Sequence, residues 1–415
     1  MNTFKIFLYC IIGTVLEWYD FAIFGVLSPV LASIFFPQKD TATSLLLTLS
    51  IFATGFVMRP LGGIFFGHIG DKYGRKKAII ISMLLMAVAT TAIGLLPIHV
   101  TPHLMIVLVL LGLRLLQGFS VGGDTAGVMI FISEMAPRKR FFLFQSFIYS
   151  GMAGGMVLGL IVGKSAIAAY HSDLHSNAWR VPFLMGSILG IIGAYLRVKA
   201  VESQLFVELQ HRQKVVTYPL NVLLRKFPKE LAIFFVTFSA SAIVAYFTII
   251  FYPAYLTQLG IGVSQVLTIN LIGLCLLLLL VPLFSLCVNH SNLRKLINFS
   301  LISFILMPVP VLWLVSYYPG YFVLAGQILL TLLFIPLYII PTMAVNFFPT
   351  PVRYSGTALC INLAVLLGGT FPMIGMFLVK LTHVAYLPGF YVSVMALLAL
   401  IAIFISQSRP AFKEF

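Results

Sequence analysis

Twelve long apolar stretches recur along this chain, at about 6–30, 44–68, 78–98, 104–132, 142–168, 181–198, 230–256, 264–288, 294–315, 320–346, 355–380 and 385–406. A mostly apolar run of about 18 residues or more can cross a bilayer as a helix. Lipid offers no partner for free backbone groups, so each such stretch must be helical. The sequence therefore predicts an all-α membrane protein with twelve transmembrane helices. Only 9% of its residues are charged, against about 25% in soluble domains, which excludes a soluble reading. The first stretch is not read as a cleavable signal peptide. It is too long, carries two acids and lacks a small-residue cleavage site.

The net charge of +15 would suit nucleic acid, but its placement points to a membrane instead. With the N-terminus inside, the cytoplasmic ends and loops hold 20 of the 26 Lys and Arg. These include Lys5, the Lys72–Lys77 cluster, Arg138–Arg140, Arg197, Lys199, Arg294, Lys295, Arg353, Arg409 and Lys413. Lys39, Lys164, Arg180 and Lys380 fall near the outer face. This positive-inside bias predicts that both termini are cytoplasmic.

Five charges stand where charge is costly: Glu17, Asp20, Arg59, Arg114 and Asp124, all in the first four apolar stretches. An ionised side chain in hydrocarbon costs roughly 2.5–3.5 kcal/mol on insertion scales, so such groups mark solute or ion pathways. Helix rise, about 1.5 Å per residue, puts Glu17, Arg59 and Arg114 near mid-membrane. Arg114, Gln117, Val121 and Asp124 share one helical face, as do Glu17 and Asp20. Three acids and two bases around one cavity would leave one acid to take up and release a proton. The bland alternative is static salt bridges between helices.

The most polar internal stretch, about 199–229, divides six apolar stretches from six. The expected domains are an N-terminal six-helix bundle at 1–198, a cytoplasmic linker at 199–229 and a C-terminal bundle at 230–415. Two six-helix halves with both termini inside suggest a parallel repeat. The loop Gly67-His-Ile-Gly70-Asp71-Lys72-Tyr-Gly74-Arg75-Lys76-Lys77 has a decayed counterpart in Ser285-Leu-Cys-Val-Asn289-His290-Ser-Asn292-Leu293-Arg294-Lys295. The basic pair survives there and the acid does not.

The first of these loops resembles the signature G-x-x-x-D-(R/K)-x-G-R-(R/K) of the major facilitator superfamily. Further motifs resemble its metabolite:proton symporter family. They are Gly13-Thr-Val-Leu-Glu17-Trp18-Tyr19-Asp20-Phe21, Arg59-Pro-Leu-Gly62-Gly63, Arg114-Leu-Leu-Gln117-Gly118-Phe-Ser-Val-Gly122-Gly123-Asp124 and Glu134-Met-Ala-Pro137. Trp179-Arg180-Val-Pro182-Phe183, Pro349-Thr350-Pro-Val352-Arg353-Tyr354-Ser-Gly356 and Asn362-Leu-Ala follow in order.

The resemblance implies two pseudo-symmetric bundles, proton-coupled uptake by alternating access, a monomer and a bacterial inner membrane. Relatives in that family carry proline and betaine, 2-oxoglutarate, citrate, shikimate and other small carboxylates. It also implies a cytoplasmic gate built on Gly67, Asp71, Gly74, Arg75, Lys76, Glu134 and Arg353.

The chain departs from the family pattern in four places. Asp124 replaces the usual Glu, and Asn346 stands where Glu usually precedes Phe347-Phe348-Pro349-Thr350. Glu202-Ser203-Gln204-Leu205-Phe206 lacks the usual proline, and the second-half loop lacks its acid. The short tail after the last stretch is read as lacking the C-terminal coiled coil of some osmolyte-carrying relatives.

The second half offers no charge deep in a stretch, but it does offer Tyr246, Phe247, Tyr252, Tyr338 and Asn362. Aromatic faces can hold an ammonium by cation–π attraction, and Trp18 and Tyr19 join them as candidates. A zwitterion or monocarboxylate, proline- or betaine-like, suits this inventory better than a di- or tricarboxylate. The span-five glycines, Gly151 to Gly163, are read as packing positions. Cys10, Cys275, Cys287 and Cys360 show no paired spacing, and no cofactor, metal, phosphate-loop or catalytic-triad motif is present. An uncoupled facilitator, an organic-acid carrier, a channel and a transport-dead sensor are the competing readings.

Overall fold

The computed structural model describes residues 3–37, 40–97, 103–172, 177–199, 201–289 and 291–406, with no side-chain description for 3–10, 41–42, 103, 170–172 and 344–346. Lys39, Arg409 and Lys413, and the side chains of Lys5, Cys10 and Asn346, therefore lie outside the described residues. The first six apolar stretches form α1 (Thr3–Phe35), α2 (Thr41–Lys72), α3 (Arg75–Gly94), α4 (His103–Met135), α5 (Phe141–Ser172) and α6 (Arg180–Val198). Two short helices follow, α7 (Gln204–His211) and α8 (Pro219–Lys226).

The later stretches are less regular. The seventh is α9 (Pro228–Tyr246), a π-helical turn at Phe247–Phe251 and α10 (Tyr252–Gln258). The eighth is α11 (Val263–Ser285), and the ninth is split into α12 (Leu293–Leu306) and α13 (Pro308–Tyr317). The tenth runs through α14 (Pro319–Phe334), a 3₁₀ turn at Ile335–Tyr338 and α15 (Ile339–Phe347). The last two are α16 (Arg353–Thr382) and α17 (Leu387–Ser406). Among the described residues eleven helices are long and apolar enough to cross a membrane, or twelve if the α12–α13 pair, bent by 42°, is one span. Pro308 explains that bend: it has no N–H for the Phe304 carbonyl, and its ring collides with that oxygen.

Two compact units emerge. The first comprises Met1–Ala136, Gly151–Leu220 and Thr350–Leu359, and the second Pro137–Ser150, Asn221–Pro349 and Cys360–Phe415. In the first unit, α2 lies along α4 almost backbone to backbone. A methyl added to Gly62 would strike the Phe119 carbonyl, one on Gly118 would strike Gly55, and one on Gly122 would strike the Arg59 carbonyl. Small residues bring membrane helices this close, where van der Waals packing must do what the hydrophobic effect cannot do in lipid. The α5 glycines serve the same end. Gly155 faces the Val15 carbonyl, and Gly159 and Gly163 face Ala22 and Val26 of α1. The apolar core there gathers Phe24, Leu27, Leu31, Phe35, Trp179 and Phe183.

The second unit packs α9 and α12 on α17, and α11 on α14. Its π-helical turn is walled by rings: Phe247 and Phe251 stack at 5.6 Å, and Phe371 stands edge-on to both at 6.0 and 5.4 Å.

Candidate functional site

Three of the carboxylates buried in the first unit, Glu17, Asp20 and Asp124, lie within apolar stretches, and each has its own arrangement. Glu17 Oε1 accepts from the Thr125 hydroxyl at 2.8 Å, with Arg59 Nη2 at 3.8 Å from the same oxygen. Asp20 Oδ2 accepts from Thr90 Oγ1 at 2.6 Å and from Gln117 Nε2 at 2.5 Å. Gln117 Oε1 in turn accepts from Arg114 Nη1 at 2.5 Å. The Arg114 guanidinium lies over the Phe24 ring, 3.9 Å from its centroid, and 5.1 Å from that of Phe52. Asp124 takes both terminal nitrogens of Arg197, Nη1 on Oδ1 and Nη2 on Oδ2 at 3.1 Å, and Ser82 Oγ lies 3.2 Å from Oδ1.

Arg197 changes the expected count. Its position in the last turn of α6 suggested a cytoplasmic loop charge, but the side chain is buried. Side chains lean toward the N-terminus of their own helix, which carries this guanidinium back along α6 to Asp124. Gly13 makes room for it, since a methyl there would overlap the guanidinium. Three acids therefore face three arginines, not two. The signal in the sequence was Asp124 itself, a buried acid with no base assigned to it.

A pocket of about 480 Å³, a figure that includes its open mouth, lies among α1, α2 and α4. Glu17, Asp20, Arg59, Arg114 and Gln117 line it, together with Trp18, Phe21, Phe52 and Phe56. Asp124 does not, although it shares a helical face with Arg114 and Gln117. Of the aromatic and polar candidates, Trp18 alone lines the pocket. Tyr19 is buried and donates to the Pro182 carbonyl at 2.8 Å. In the second unit, the Tyr252 hydroxyl donates to the Val323 carbonyl at 2.8 Å. Phe247 packs among rings, and Tyr338 lies against Tyr149 with centroids 5.6 Å apart. Tyr246 and Asn362 are buried.

A second polar cluster forms at the far end of α2. Asp71 Oδ1 and Oδ2 accept from the backbone N–H groups of Tyr354 and Ser355 at 3.1 and 2.9 Å. The carboxylate thus caps the first turn of α16, where free N–H groups and the helix dipole favour an anion. Arg75, fully buried, donates to the carbonyls of Gly70 and Thr350 at 2.6 and 2.7 Å. It also reaches Asp71 at 3.1 Å and Glu134 at 3.5 Å. Arg353 donates to Glu134 at 3.0 Å.

The glycines are required here. Gly74 has φ +117°, and a methyl on Gly67 or Gly70 would strike Ser355 or the Tyr354 ring. The Tyr354 ring fills the slot that Gly70 and Gly127 leave, and its hydroxyl donates to the Gly123 carbonyl at 2.8 Å. Lys76 joins through its backbone, donating to the Glu202 carboxylate at 3.2 Å. Ser203 caps α7 and donates to Glu134, while Phe206 lies under Arg75, 5.1 Å from ring centroid to guanidinium. Burial raises the Glu202 carboxyl above its ordinary value, against the opposing pull of the Ser203 and Lys76 N–H groups.

The family model described as Major Facilitator Superfamily matches residues 10–371. A proline/betaine transporter of Salmonella typhimurium is 30% identical over 408 residues, covering 94% of this chain and 80% of that protein. The glycine betaine/proline/ectoine/pipecolic acid transporter OusA of Dickeya dadantii is 29% identical over 415 residues, covering 94% of this chain and 80% of its own length. Among solved structures, the proton:xylose symporter XylE superposes with a TM-score of 0.76 at 17% identity, covering 97% of this chain and 95% of XylE.

Proposed function

The chain belongs to the Major Facilitator Superfamily as a multi-pass secondary transporter, and from that premise we propose that it imports a small zwitterion, proline- or betaine-like, by proton symport. The observation that carries the reading is the Glu17 carboxyl. It is buried, it lines the pocket, it has a single hydrogen-bond donor on Oε1, and its Oε2 has no partner among the described residues. A buried carboxylate oxygen with no donor is costly when ionised, and a proton removes that cost. Asp124 is clamped on both oxygens by Arg197 and does not line the pocket. The naming of the bacterial relatives for proline and betaine supports the choice of cargo.

In this reading the pocket is exposed to one side of the bacterial inner membrane and then the other. The Asp71–Ser355 contacts close the cytoplasmic route. Gly67, Gly74, Arg75, Lys76, Glu134 and Arg353 support them through the hydrogen bonds and close contacts described above. The bundles are 1–198 and 230–415, joined by the linker 199–229, both termini are cytoplasmic, and the working unit is a monomer.

The test uses proteoliposomes with an imposed inward proton gradient. The wild type is expected to concentrate proline or glycine betaine, and a protonophore is expected to abolish accumulation. Glu17→Gln should lose proton-driven accumulation, and any exchange of internal for external solute that it keeps should not respond to the protonophore. The equal count of acids and arginines favours one rival, an uncoupled facilitator. That rival predicts equilibration of solute with no response to the protonophore.

A further inference from the structure

Four residues that line the pocket among α1, α2 and α4 each carry one buried polar atom with no hydrogen-bond partner among the described residues. Two are donors, Trp18 Nε1 and Arg114 Nε, and two are carboxylate oxygens, Glu17 Oε2 and Asp20 Oδ1. Buried polar groups in folded proteins nearly always find partners, so a cluster of exceptions calls for an explanation. Four such atoms on residues that line one cavity, two of each kind, match the two ends of a zwitterion.

The walls between them are aromatic. Phe21 lies 4.8 Å from Phe52 and 5.5 Å from Phe56, and Trp18 lies 5.6 Å from Phe21, centroid to centroid. All four rings line the pocket. Helical spacing explains the grouping. Glu17, Asp20 and Phe21 share a face of α1, and Phe52, Phe56 and Arg59 share a face of α2. A cation already rests on this wall, since the Arg114 guanidinium sits over Phe24 and beside Phe52.

We propose that this pocket is a dipolar binding site, in which Arg114 and Trp18 hold the carboxylate of the cargo and Glu17 and Asp20, flanked by Phe21, Phe52 and Phe56, hold its ammonium. The proposal rests on the transport reading above and adds the orientation and the chemistry of selection. Ring faces attract a cation without needing an N–H from it, so a quaternary ammonium is admitted as readily as a secondary one. A secondary ammonium also donates hydrogen bonds to the carboxylates. The rings therefore matter more for the trimethylated cargo. The site requires both charges at once, so a cargo with one charge fits only half of it.

Solute exchange measured in proteoliposomes without a proton gradient separates binding from coupling. The wild type is expected to exchange glycine betaine and proline. Excess choline, which keeps only the cation, and propionate, which keeps only the anion, are each expected to compete at least tenfold more weakly. Phe21→Leu and Phe56→Leu should raise the half-saturation concentration for glycine betaine about tenfold and that for proline about threefold or less. Trp18→Phe, which keeps a ring and removes the donor, should weaken both zwitterions alike. Melting in detergent checks that each variant is folded.

Choline or propionate competing as well as betaine would overturn the dipolar site. So would folded Phe21→Leu and Phe56→Leu proteins that treat the two cargoes as the wild type does. A wild type that exchanges neither zwitterion would instead overturn the transport reading on which the proposal stands.

Discussion

At the residue scale, Arg197 and Asp124 stand or fall together. Removing one member of a buried pair leaves an uncompensated charge, and Arg197→Met is expected to lower stability by about 3–5 kcal/mol. The double variant Asp124→Asn/Arg197→Met should recover more than half of the lost melting temperature in detergent, since neither charge is then stranded. Tyr354 offers a finer comparison. Tyr354→Phe loses only the hydrogen bond to the Gly123 carbonyl, worth about 1 kcal/mol, and should transport nearly as the wild type does. Tyr354→Ala empties the slot between Gly70 and Gly127 and should reduce uptake several-fold. Glu17, Asp20, Arg59 and Arg114 were legible as pocket residues because a charge inside an apolar run is conspicuous without coordinates. Arg197 was not, because its place in the chain and the place of its guanidinium differ by the lean of a helical side chain. The partners Thr90 and Thr125 were not legible either, since a threonine in a membrane helix is ordinary until a carboxylate is found beside it.

At the element scale, the α2–α4 crossing is closed to anything larger than glycine. Gly62→Ala places a methyl on the Phe119 backbone, and overpacking of this kind costs about 1–3 kcal/mol. The variant should melt lower than the wild type and lose uptake in proportion to folded protein, without a change in cargo preference. The turn after α6 makes a pH-dependent prediction. Glu202 accepts from the first turn of α3, and burial raises its pKa above the ordinary 4.5. A raised carboxyl binds its proton more tightly in the folded state, so its contribution to stability grows as pH falls through the window above 4.5. The melting temperature of the wild type minus that of Glu202→Gln should therefore increase on going from neutral pH toward 4.5. A flat or falling difference would contradict this. The existence and order of the helices were readable from apolar run length. The π-helical turn at Phe247–Phe251 and the 3₁₀ turn at Ile335–Tyr338 were not, because hydropathy reports how apolar a span is and not how its backbone is wound.

At the scale of the whole molecule, the distribution of lysine and arginine predicts that both ends of the chain stay inside the cell. A reporter that fluoresces only in the cytoplasm should be active when fused to either end, and one that needs export should be silent at both. The matched length, residues 10–371 of the family model, agrees with motifs spread from Gly13 to Asn362, each too short to carry the assignment alone. The ninth span differs from its neighbours in how it can cross the membrane. Its two pieces have 14 and 10 residues, about 21 and 15 Å of helix at 1.5 Å per residue. Neither reaches across a hydrocarbon layer about 30 Å thick. Each piece therefore depends on the other to complete the crossing, so α12 and α13 traverse the bilayer only as a bent pair.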